Sequence, residues 1–490
     1  MGSIIDYLEH TACRTPEAVA VADGTDELTF YTLRRRAYGL GQLLCDRGMT
    51  GAAVGIYAQR SVHVIAAMLA CAAAGCPYVP LDPNAPEEKL RKILTHAEVK
   101  LILGFSAREY NGADLGCEYL RADGAGEQDA PPAVTVTERD TLYIIYTSGS
   151  TGEPKGIPKR HGAVMNFVEA YEKALGFSRE EILGNQTPFC FDASAKDIYL
   201  MLKTGARMEI IPSEKFAFPV TLIEYLNEKK ITFISWVPSA LAIVARLHTF
   251  RDILPVTLRR VCFVGEVFPR KDLDEWRRAL PEIEYINLYG QSELAGVCCL
   301  YPLPKEGPVP DPLPLGKPLE NSRIWLYDDG KISREMGELL IESGALAEGY
   351  LKNPEKTAET FLQLELDGKP RRVLRSGDWA RYDGAGNLVF LSRADDQIKY
   401  KGYRIELGEI EAAVNALSFI GRACCLYNRE RERITVFCTT DREELKLREL
   451  NEALAGTLAD YMLPRRLVVL PEMPLNANGK IDRVRLKSML

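Results

Sequence analysis

The stretch that decides the fold is YIIYTSGSTGEPKGI, residues 143–157. An apolar run ends at Tyr146, and the next ten residues hold three glycines, four hydroxyl side chains and Lys155. Glycines let backbone N–H groups approach phosphate oxygens, hydroxyls donate further hydrogen bonds, and the lysine supplies positive charge. The stretch therefore predicts a phosphate-binding loop after a buried strand. A flexible surface turn is the alternative, because glycine and serine also favour turns.

This loop differs from the phosphate loop of P-loop kinases and GTPases. That loop needs serine or threonine directly after its lysine, where the hydroxyl binds the metal of the nucleotide. Here Gly156 follows Lys155. The sequence therefore disfavours a P-loop kinase or GTPase.

Up to about residue 290, short apolar runs alternate with amphipathic stretches on both sides of the loop. Such alternation predicts an α/β fold with largely parallel sheets and helices on their faces. The predicted strands are residues 52–58, 99–104, 142–146, 207–212, 231–237 and 259–265. The predicted helices include residues 62–74, 218–228 and 269–280. Ligands of such sheets bind beyond the carboxyl ends of the strands, so we expect the functional loops there.

The pattern changes at about residue 300. Residues 301–319 are rich in proline, which cannot continue a helix or a central strand. Closely spaced strand-like runs follow up to residue 393 and predict a small, β-barrel-like antiparallel unit. Residues 394–490 mix helices with strands. We therefore expect a large N-terminal domain over 1–393, with αβ-layered sheets and the β-rich unit at about 300–393, and a small α+β C-terminal domain over 394–490.

Composition and charge disfavour several classes of protein. The net charge of −7 and the scattered basic residues give no support for nucleic-acid binding. No apolar run reaches eighteen residues, and Asp6, Glu9 and Arg14 interrupt the N-terminal segment, so neither a membrane span nor a signal peptide is expected. The twelve cysteines contain no CxxC pair and predict reduced thiols. We expect a cytoplasmic protein without a nucleic-acid or membrane partner.

Further motifs follow the loop in a fixed order: NLYGQSE (287–293), LRSGD (374–378), SRAD (392–395), KGYRIE (401–406) and NANGK (476–480). Together with the loop they resemble the motifs of the adenylate-forming superfamily, which contains acyl-CoA synthetases, luciferases and the adenylation domains of nonribosomal peptide synthesis. The segment CPYVPLDP (76–83) adds a weaker match. The resemblance covers roughly residues 140–483, and the joint order of the motifs makes it specific.

The resemblance implies a set of contacts to ATP and Mg²⁺. The residues that would close over the β- and γ-phosphates are Thr147, Ser148, Gly149, Ser150, Thr151, Gly152 and Lys155. The residues that would hold the adenosine are Asn287, facing the adenine amine, Tyr289, stacking on the ring, the neighbouring Gly290, and Asp378 with Arg393, at the ribose. Ser292 would touch the α-phosphate and Glu293 would hold Mg²⁺, which prefers carboxylate oxygens. Gln291 stands where the family commonly has proline, which predicts a less rigid loop.

Lys480, in the last motif, is the residue on which the reaction would depend most. Attack of a carboxylate on the α-phosphate gathers negative charge on its oxygens, and an ammonium placed there favours the transition state. Taken alone, Lys480 would be read as an exposed lysine of the tail. The resemblance also implies that the C-terminal domain is mobile and rotates about Asp395 after adenylation, which withdraws Lys480 and presents the loop around Gly402 to a thiol.

The segment TPFCFDASAKDIY (187–199) indicates the kind of carboxylic acid. It resembles the FDxS motif of amino-acid-activating members, whose aspartate pairs with the substrate's α-ammonium. Acyl- and aryl-activating relatives usually lack that acid. Asp192 therefore favours an amino acid, and a role as a helix N-cap is the alternative.

Mapping of the family's specificity positions predicts a small to medium pocket. These positions hold Asp192, Ala193, Lys196, Ser235, Cys262, Val264, Leu288, Gly296, Val297 and Lys480. The segment CFVGEVFP (262–269) is similar to the CGEVLP of free-standing D-alanine:carrier-protein ligases. Val264 replaces their cysteine, however, and Lys196 replaces an apolar residue, so the pattern departs from the one for D-alanine.

Lys196 raises the hypothesis of an acidic substrate such as glutamate or aspartate, because a buried ammonium needs a partner. The alternatives are that Lys196 pairs with Asp192 at i, i+4, meets Asp197, or snorkels outward.

The sequence thus predicts an ATP- and Mg²⁺-dependent ligase that activates a small amino acid, acidic or similar to alanine, and passes it to a separate phosphopantetheinylated carrier protein. An acyl-CoA or aryl-CoA ligase and a non-catalytic nucleotide-binding protein are the alternatives.

Overall fold

The structure is a computed structural model that describes residues 2–105, 116–147, 154–393, 397–428, 430–475 and 481–490. Its helices alternate with strands as far as residue 290. The α-helices are α1 Ile5–Arg14, α2 Phe30–Asp46, α3 Val62–Ala73, α4 Glu87–His96, α5 His161–Leu175, α6 Ala195–Thr204, α7 Pro219–Glu228, α8 Pro238–Arg246, α9 Arg270–Ala279, α10 Pro354–Thr360, α11 Leu407–Asn415, α12 Leu447–Leu454 and α13 Arg483–Lys487.

The strands of the first 291 residues are short and mostly buried. They are β1 Val19–Ala22, β2 Glu27–Thr29, β3 Val54–Tyr57, β4 Tyr78–Leu81, β5 Leu101–Gly104, β6 Glu118–Arg121, β7 Thr141–Thr147, β8 Lys155–Arg160, β9 Ile182–Asn185, β10 Arg207–Ile210, β11 Phe233–Trp236, β12 Arg260–Val264 and β13 Glu284–Gln291. All six predicted strands and the three predicted helices are confirmed.

The later strands include several longer ones. They are β14 Gly296–Pro302, β15 Lys317–Pro318, β16 Ser322–Asp328, β17 Lys331–Ser333, β18 Met336–Ser343, β19 Phe361–Leu366, β20 Lys369–Tyr382, β21 Leu388–Arg393, β22 Gln397–Tyr400, β23 Tyr403–Glu406, β24 Ile420–Asn428, β25 Arg433–Thr440 and β26 Arg466–Val469.

The chain divides into two compact units. The first contains Met1–Pro83, His96–Tyr146 and Gly156–Ala394, and the second contains Asn84–Thr95, Thr147–Lys155 and Asp395–Leu490. The domain boundary after residue 393 stays a prediction of the sequence. The second unit also takes two short segments from the first third of the chain, which local sequence patterns do not indicate.

The first unit contains two α/β sheets. One has nine strands in the order β15-β14-β13-β12-β11-β9-β10-β1-β2. Its pairs from β13 through β1 are parallel, and antiparallel strands flank them at both edges. The other has six strands in the order β6-β5-β3-β4-β7-β8. The largely parallel sheets that the sequence predicts are thus confirmed.

The β-rich unit predicted from about residue 300 is an antiparallel sheet in the order β17-β16-β18-β20-β19, with β21 paired to β20. Among the described residues its pairings form an open path and do not close into a barrel. The second unit holds the β22–β23 hairpin and the three-stranded sheet β24-β25-β26, with α11 and α12 in the same apolar core. This mixture is the α+β composition predicted for the tail.

Alternation of side chains along the central strands separates two apolar cores. Phe233, Cys262 and Leu288 pack into the core that contains α5 and α6, whereas their chain neighbours Ile234 and Val261 pack into the core of α7, α8 and α9. Successive residues of a strand point to opposite faces of its sheet. The face toward α5 and α6 is therefore the one on which the predicted substrate positions lie.

The sequence predicts no membrane span and reduced cysteine thiols. Among the described helices, none combines the length and the apolar character needed to span a bilayer. Every cysteine lies in the described part of the chain, and all twelve are free thiols, as predicted.

Candidate active site

Part of the predicted site lies outside the described residues. These positions are Ser148, Gly149, Ser150, Thr151, Gly152, Asp395 and Lys480. On either side of the phosphate loop, Thr147 ends β7 and Lys155 begins β8. Within the second unit, Lys155 Nζ lies 3.4 Å from Glu406 Oε1, and this oxygen also accepts a hydrogen bond from Gln397 Nε2 at 2.6 Å. The lysine of the loop and the glutamate of the KGYRIE motif thus form an ion pair.

The residues predicted to hold adenosine meet at the end of β13. The Tyr289 hydroxyl donates to Asp378 Oδ2 at 2.6 Å, and Arg393 Nη1 donates to Asp378 Oδ1 at 2.6 Å. Asn287 donates from Nδ2 to the carbonyl of Pro314 at 2.7 Å, which fixes the amide. The structure therefore brings the adenine and ribose candidates of three separate motifs into one cluster.

Gln291 ties this cluster together. Its Nε2 donates to Asp378 Oδ2 at 2.6 Å and to the Ser376 carbonyl at 2.9 Å, and both residues belong to the LRSGD motif. We expected a less rigid loop from the absence of proline. The lower rigidity stays a prediction, and the structure shows that side-chain hydrogen bonds hold Gln291 at this position.

Glu293, the predicted metal ligand, is buried beside β8. The Tyr350 hydroxyl donates to Glu293 Oε1 at 2.7 Å. Within the described ranges, no group of three or more histidine, cysteine, aspartate or glutamate residues could hold a metal ion. Mg²⁺ commonly binds through one or two carboxylates together with substrate phosphates and water. A single carboxylate such as Glu293 fits that mode of binding and does not fit an all-protein metal cage.

Lys159 lies at the centre of the site, and sequence reasoning missed it. This fully buried lysine donates from Nζ to the carbonyls of Ser292 and Leu294, the second at 2.5 Å, and so holds the backbone on both sides of Glu293. Its Nζ also lies 3.9 Å from Asp192 Oδ1. The available signal was strand alternation, because Lys159 shares a face of β8 with the buried Ile157.

Asp192, the predicted partner of the substrate's α-ammonium, is a buried carboxyl near Lys159. It begins a short 3₁₀ helix, Asp192–Ser194, and its Oδ1 accepts a hydrogen bond from the Tyr143 hydroxyl at 2.8 Å. Burial raises the pKa of this carboxyl, the Lys159 ammonium and the Tyr143 hydroxyl oppose that rise, and Glu293 adds to it. The N-cap alternative is wrong, since Ser194 occupies the N-cap of α6 and the Asp192 carboxylate makes no capping hydrogen bond.

The remaining substrate candidates surround one region of the first unit. Ser235 lies opposite Cys262 in register, Val264 lies opposite Leu288, and Gly296 and Val297 begin β14. A Cβ atom added at Gly296 would lie 2.4 Å from Phe167 Cζ, so the aromatic ring of α5 packs directly on this backbone. Ala193 is in the 3₁₀ helix with Asp192. The candidates of separate strands and helices therefore come together.

Lys196 finds its partner inside the chain. Its Nζ lies 3.2 Å from Asp197 Oδ1 and donates to the Ala193 carbonyl at 3.0 Å, while Asn185 Nδ2 donates to Asp197 Oδ2 at 2.9 Å. Of the alternatives drawn from the sequence, pairing with Asp197 is the one observed. The acidic-substrate hypothesis loses its premise, because the buried ammonium is already neutralised.

Comparisons with known proteins agree with this geometry. Residues 8–351 match the family described as AMP-binding enzyme, and residues 409–480 match the AMP-binding enzyme C-terminal domain. Zwittermicin A synthase ZmaJ of Bacillus cereus is 31% identical over 97% of this chain and 93% of that protein. Bacitracin synthase 1 of Bacillus licheniformis is 30% identical over 98% of this chain, but the chain spans only 9% of that protein.

Solved structures give the same result for the fold. The crystal structure of IdnL1 superposes with a TM-score of 0.83 at 28% identity and covers 96% of this chain and 98% of that one. Holo-PA1221, a nonribosomal peptide synthetase protein containing adenylation and PCP domains, superposes with a TM-score of 0.86 at 23% identity and covers all of this chain and 84% of that one. The second likeness concerns the fold alone.

Proposed function

The chain belongs to the AMP-binding enzyme family, as an adenylation domain of the adenylate-forming superfamily, and from this premise we propose that it activates a small amino acid as its aminoacyl-adenylate and transfers the acyl group to the phosphopantetheine thiol of a separate carrier protein. We infer an amino-acid substrate from the buried carboxylate of Asp192. A buried carboxylate beside the metal-binding candidate suits a substrate α-ammonium, and an acyl or aryl acid offers no cation to pair with it.

In the first proposed step, a carboxylate oxygen of the amino acid attacks the α-phosphorus of ATP, and the bond to pyrophosphate breaks. Asn287, Tyr289, Asp378 and Arg393 would hold the adenosine, and Ser292 would contact the α-phosphate. The family uses ATP with a divalent metal. We propose Mg²⁺ at Glu293, where it would neutralise phosphate charge.

Thr147, Lys155 and the hydroxyls of the phosphate loop would position the β- and γ-phosphates, and Lys480 would stabilise the charge that develops during attack. Loss of such a preorganised donor typically costs about 10²- to 10³-fold in rate. We therefore expect Lys480→Ala to lose adenylation while ATP binding persists. In the second step, the carrier thiol attacks the acyl carbon of the adenylate and AMP leaves.

The test is amino-acid-dependent exchange of pyrophosphate into ATP, with the twenty amino acids and their deaminated analogues as substrates. We expect exchange with one or a few small amino acids and none with propionate or 3-hydroxypropionate. Asp192→Asn should raise the KM for the amino acid at least about 100-fold, since it removes one partner of a buried charge pair, and should leave the KM for ATP nearly unchanged.

Asp272→Asn is the matched control, because Asp272 is a buried aspartate that pairs with Arg246 on the opposite face of the nine-stranded sheet. It should keep the wild-type KM for both substrates. Exchange that responds equally to deaminated acids would contradict the amino-acid assignment and favour an acyl-CoA or aryl-CoA ligase. Loading of a phosphopantetheinylated carrier protein with labelled amino acid tests the second step.

A further inference from the structure

In the described part of the first unit, two buried hydroxyl groups on the sheet face toward α5 and α6 have no hydrogen-bond partner. They are the Tyr171 hydroxyl, on α5, and the Ser235 hydroxyl, on β11. Tyr171 is 0% and Ser235 1% exposed. Buried side-chain hydroxyls in folded proteins are almost always hydrogen-bonded, because an unmet donor or acceptor keeps its full cost of desolvation. Both groups therefore call for an additional partner.

The two hydroxyls lie in the region of the substrate candidates. Ser235 is opposite Cys262 in register, on the sheet face that packs against α5 and α6, and Tyr171 reaches this face from α5. Burial is the largest cause that raises the pKa of Tyr171, and it keeps the hydroxyl protonated and able to donate. Cys262 adds to this rise in pKa and Ser235 opposes it, so the phenol faces both groups, although neither contact has ordinary hydrogen-bond geometry.

Charge around the two hydroxyls is balanced. Lys196 pairs with Asp197, and Arg260 Nε donates to Glu284 Oε2 at 2.7 Å. Arg260 Nη1 is buried without a partner and can donate to an uncharged oxygen as well as to a charged one. A carboxylate placed between the hydroxyls would add an unbalanced buried charge, which is costly. An uncharged group would not.

The region is also small. Val264, Leu288 and Val297 are buried side chains of adjacent strands, and the Phe167 ring fills the space above Gly296. Because these buried side chains and the Phe167 ring line the region, we expect a substrate side chain of only a few heavy atoms here. It also meets two hydroxyls that can each donate and accept.

We propose that the amino acid activated here carries a small, uncharged, hydrogen-bonding side chain, a hydroxyl or a carboxamide, and that Tyr171 and Ser235 select it. The proposal rests on the function proposed above and narrows it to the class of serine, threonine and asparagine. Tyr171 lies outside the family positions assigned from the sequence, so it is an additional specificity-determining residue.

Pyrophosphate exchange with matched pairs of amino acids tests the proposal. The pairs are serine with alanine, threonine with 2-aminobutyrate, and asparagine with aspartate. In at least one pair the hydroxyl or carboxamide member should have a kcat/KM at least about tenfold higher, because alanine and 2-aminobutyrate leave the buried hydroxyls unpaired and aspartate adds an unbalanced buried charge. A preference for alanine, for 2-aminobutyrate or for an acidic amino acid would overturn the proposal and leave the proposed function intact.

Variants assign the preference to the two hydroxyls. Tyr171→Phe and Ser235→Ala should each lower kcat/KM for the preferred serine, threonine or asparagine about tenfold, while kcat/KM for alanine or 2-aminobutyrate changes little. Tyr285→Phe is the control, since Tyr285 is buried in the other core and donates to the Trp276 carbonyl at 2.8 Å. It should keep the ratio within each pair.

The remaining outcomes are also decisive. A ratio that stays at the wild-type value in a folded Tyr171→Phe and a folded Ser235→Ala protein contradicts the role of the two hydroxyls. If Tyr171→Phe does not fold, Ser235→Ala alone supplies this test. Absence of exchange with every amino acid would contradict the proposed function itself, and the specificity proposal would fail with it.

Discussion

One lysine contacts both the metal-binding candidate and the candidate partner of the substrate's ammonium. The Lys159 ammonium binds the backbone carbonyls on both sides of Glu293 and lies 3.9 Å from Asp192 Oδ1. It therefore fixes the metal-binding candidate and favours the ionised form of the carboxylate that would receive the substrate's ammonium. A buried lysine with two backbone acceptors and a carboxylate neighbour is the arrangement in which a buried charge is tolerated.

Lys159→Met should move the pH dependence of amino-acid use. Lys159 lowers the pKa of Asp192, so its removal raises that pKa, and the ionised fraction of Asp192 falls at a given pH. The acid limb of kcat/KM for the amino acid should therefore move to higher pH. The control is Lys173→Met, at an exposed lysine that pairs with Glu320. Coinciding acid limbs in the Lys159→Met and wild-type proteins would contradict this role.

For single residues, the sequence predicts the roles that belong to a recognisable motif. It misses the roles that arise only from tertiary packing. Asn287, Tyr289 and Asp378 were predicted from their motifs, and the structure brings Tyr289 and Asp378 into hydrogen-bond contact. Lys159 and Tyr171 have no motif. On strand and helix periodicity they read as core positions, and their chemistry emerges only when β11, β13 and α6 pack beside them.

At the scale of secondary-structure elements, the site is positioned where β14 and α5 pack closely together. Gly296 begins β14 at a φ of 141°, a backbone conformation that residues with a side chain rarely adopt. The Phe167 ring of α5 occupies the place where a Cβ atom would lie. Strand β13 ends in the cluster of adenosine-binding candidates, Tyr289, Asp378 and Arg393, and β14 pairs with β13 in antiparallel register. The sequence predicted most of these strands from apolar runs. It could not predict the contact of Gly296 with Phe167, which depends on tertiary packing.

Gly296→Ala should destabilise the protein by about 1–3 kcal/mol, because the new Cβ overpacks the Phe167 ring. The comparison is Gly307→Ala, at a glycine that also has a positive φ but has no atom within 4 Å of an added Cβ. Urea unfolding of both variants separates the steric clash from backbone strain. Equal losses of unfolding free energy in the two variants would show that the Phe167 contact contributes nothing.

Helix α11 carries a buried carboxyl that makes stability depend on pH. Burial raises the pKa of Glu409 to about 7, Glu406 adds to the rise, and Lys89, Lys92 and Lys155 oppose it. The folded pKa lies above the unfolded value of 4.5, so the stabilising contribution of the protonated form is complete below pH 4.5 and is lost as the pH rises through 7. The largest loss would be about 3 kcal/mol.

Glu409→Gln removes this titration. Relative to the wild type, the variant should gain unfolding free energy at pH 8 and little at pH 5, measured by urea unfolding at both pH values. Glu452→Gln, on the exposed face of α12, is the control and should show the same difference from the wild type at both pH values. A Glu409→Gln effect that is equal at pH 5 and pH 8 would contradict the raised pKa.

For the whole molecule, the two compact units and the order of the motifs agree with an adenylation domain. The succession of α/β, antiparallel and α+β regions was readable from spacing and proline content. The assignment of Asn84–Thr95 and Thr147–Lys155 to the second unit was not, since it depends on contacts between segments far apart in the sequence.

A rotation about Asp395 between the two reactions remains a proposal at this scale. Proline fixes φ and removes a backbone donor, so Asp395→Pro should restrict the change. We expect the variant to keep pyrophosphate exchange and to lose loading of a phosphopantetheinylated carrier protein. The substitution Asp395→Ala removes the same carboxylate but leaves φ free, so it provides the comparison. Equal loading by both variants would contradict the hinge.

The central claim is that a carboxylate attacks the α-phosphorus of ATP, and transfer of labelled oxygen tests it most directly. The protein is incubated with ATP, Mg²⁺, hydroxylamine as the acceptor and the preferred amino acid carrying ¹⁸O in its carboxylate. The account predicts AMP with one ¹⁸O atom, unlabelled pyrophosphate and an amino-acid hydroxamate, as shown by mass spectrometry. Recovery of ¹⁸O in inorganic phosphate together with ADP would place the attack at the γ-phosphorus and contradict the account.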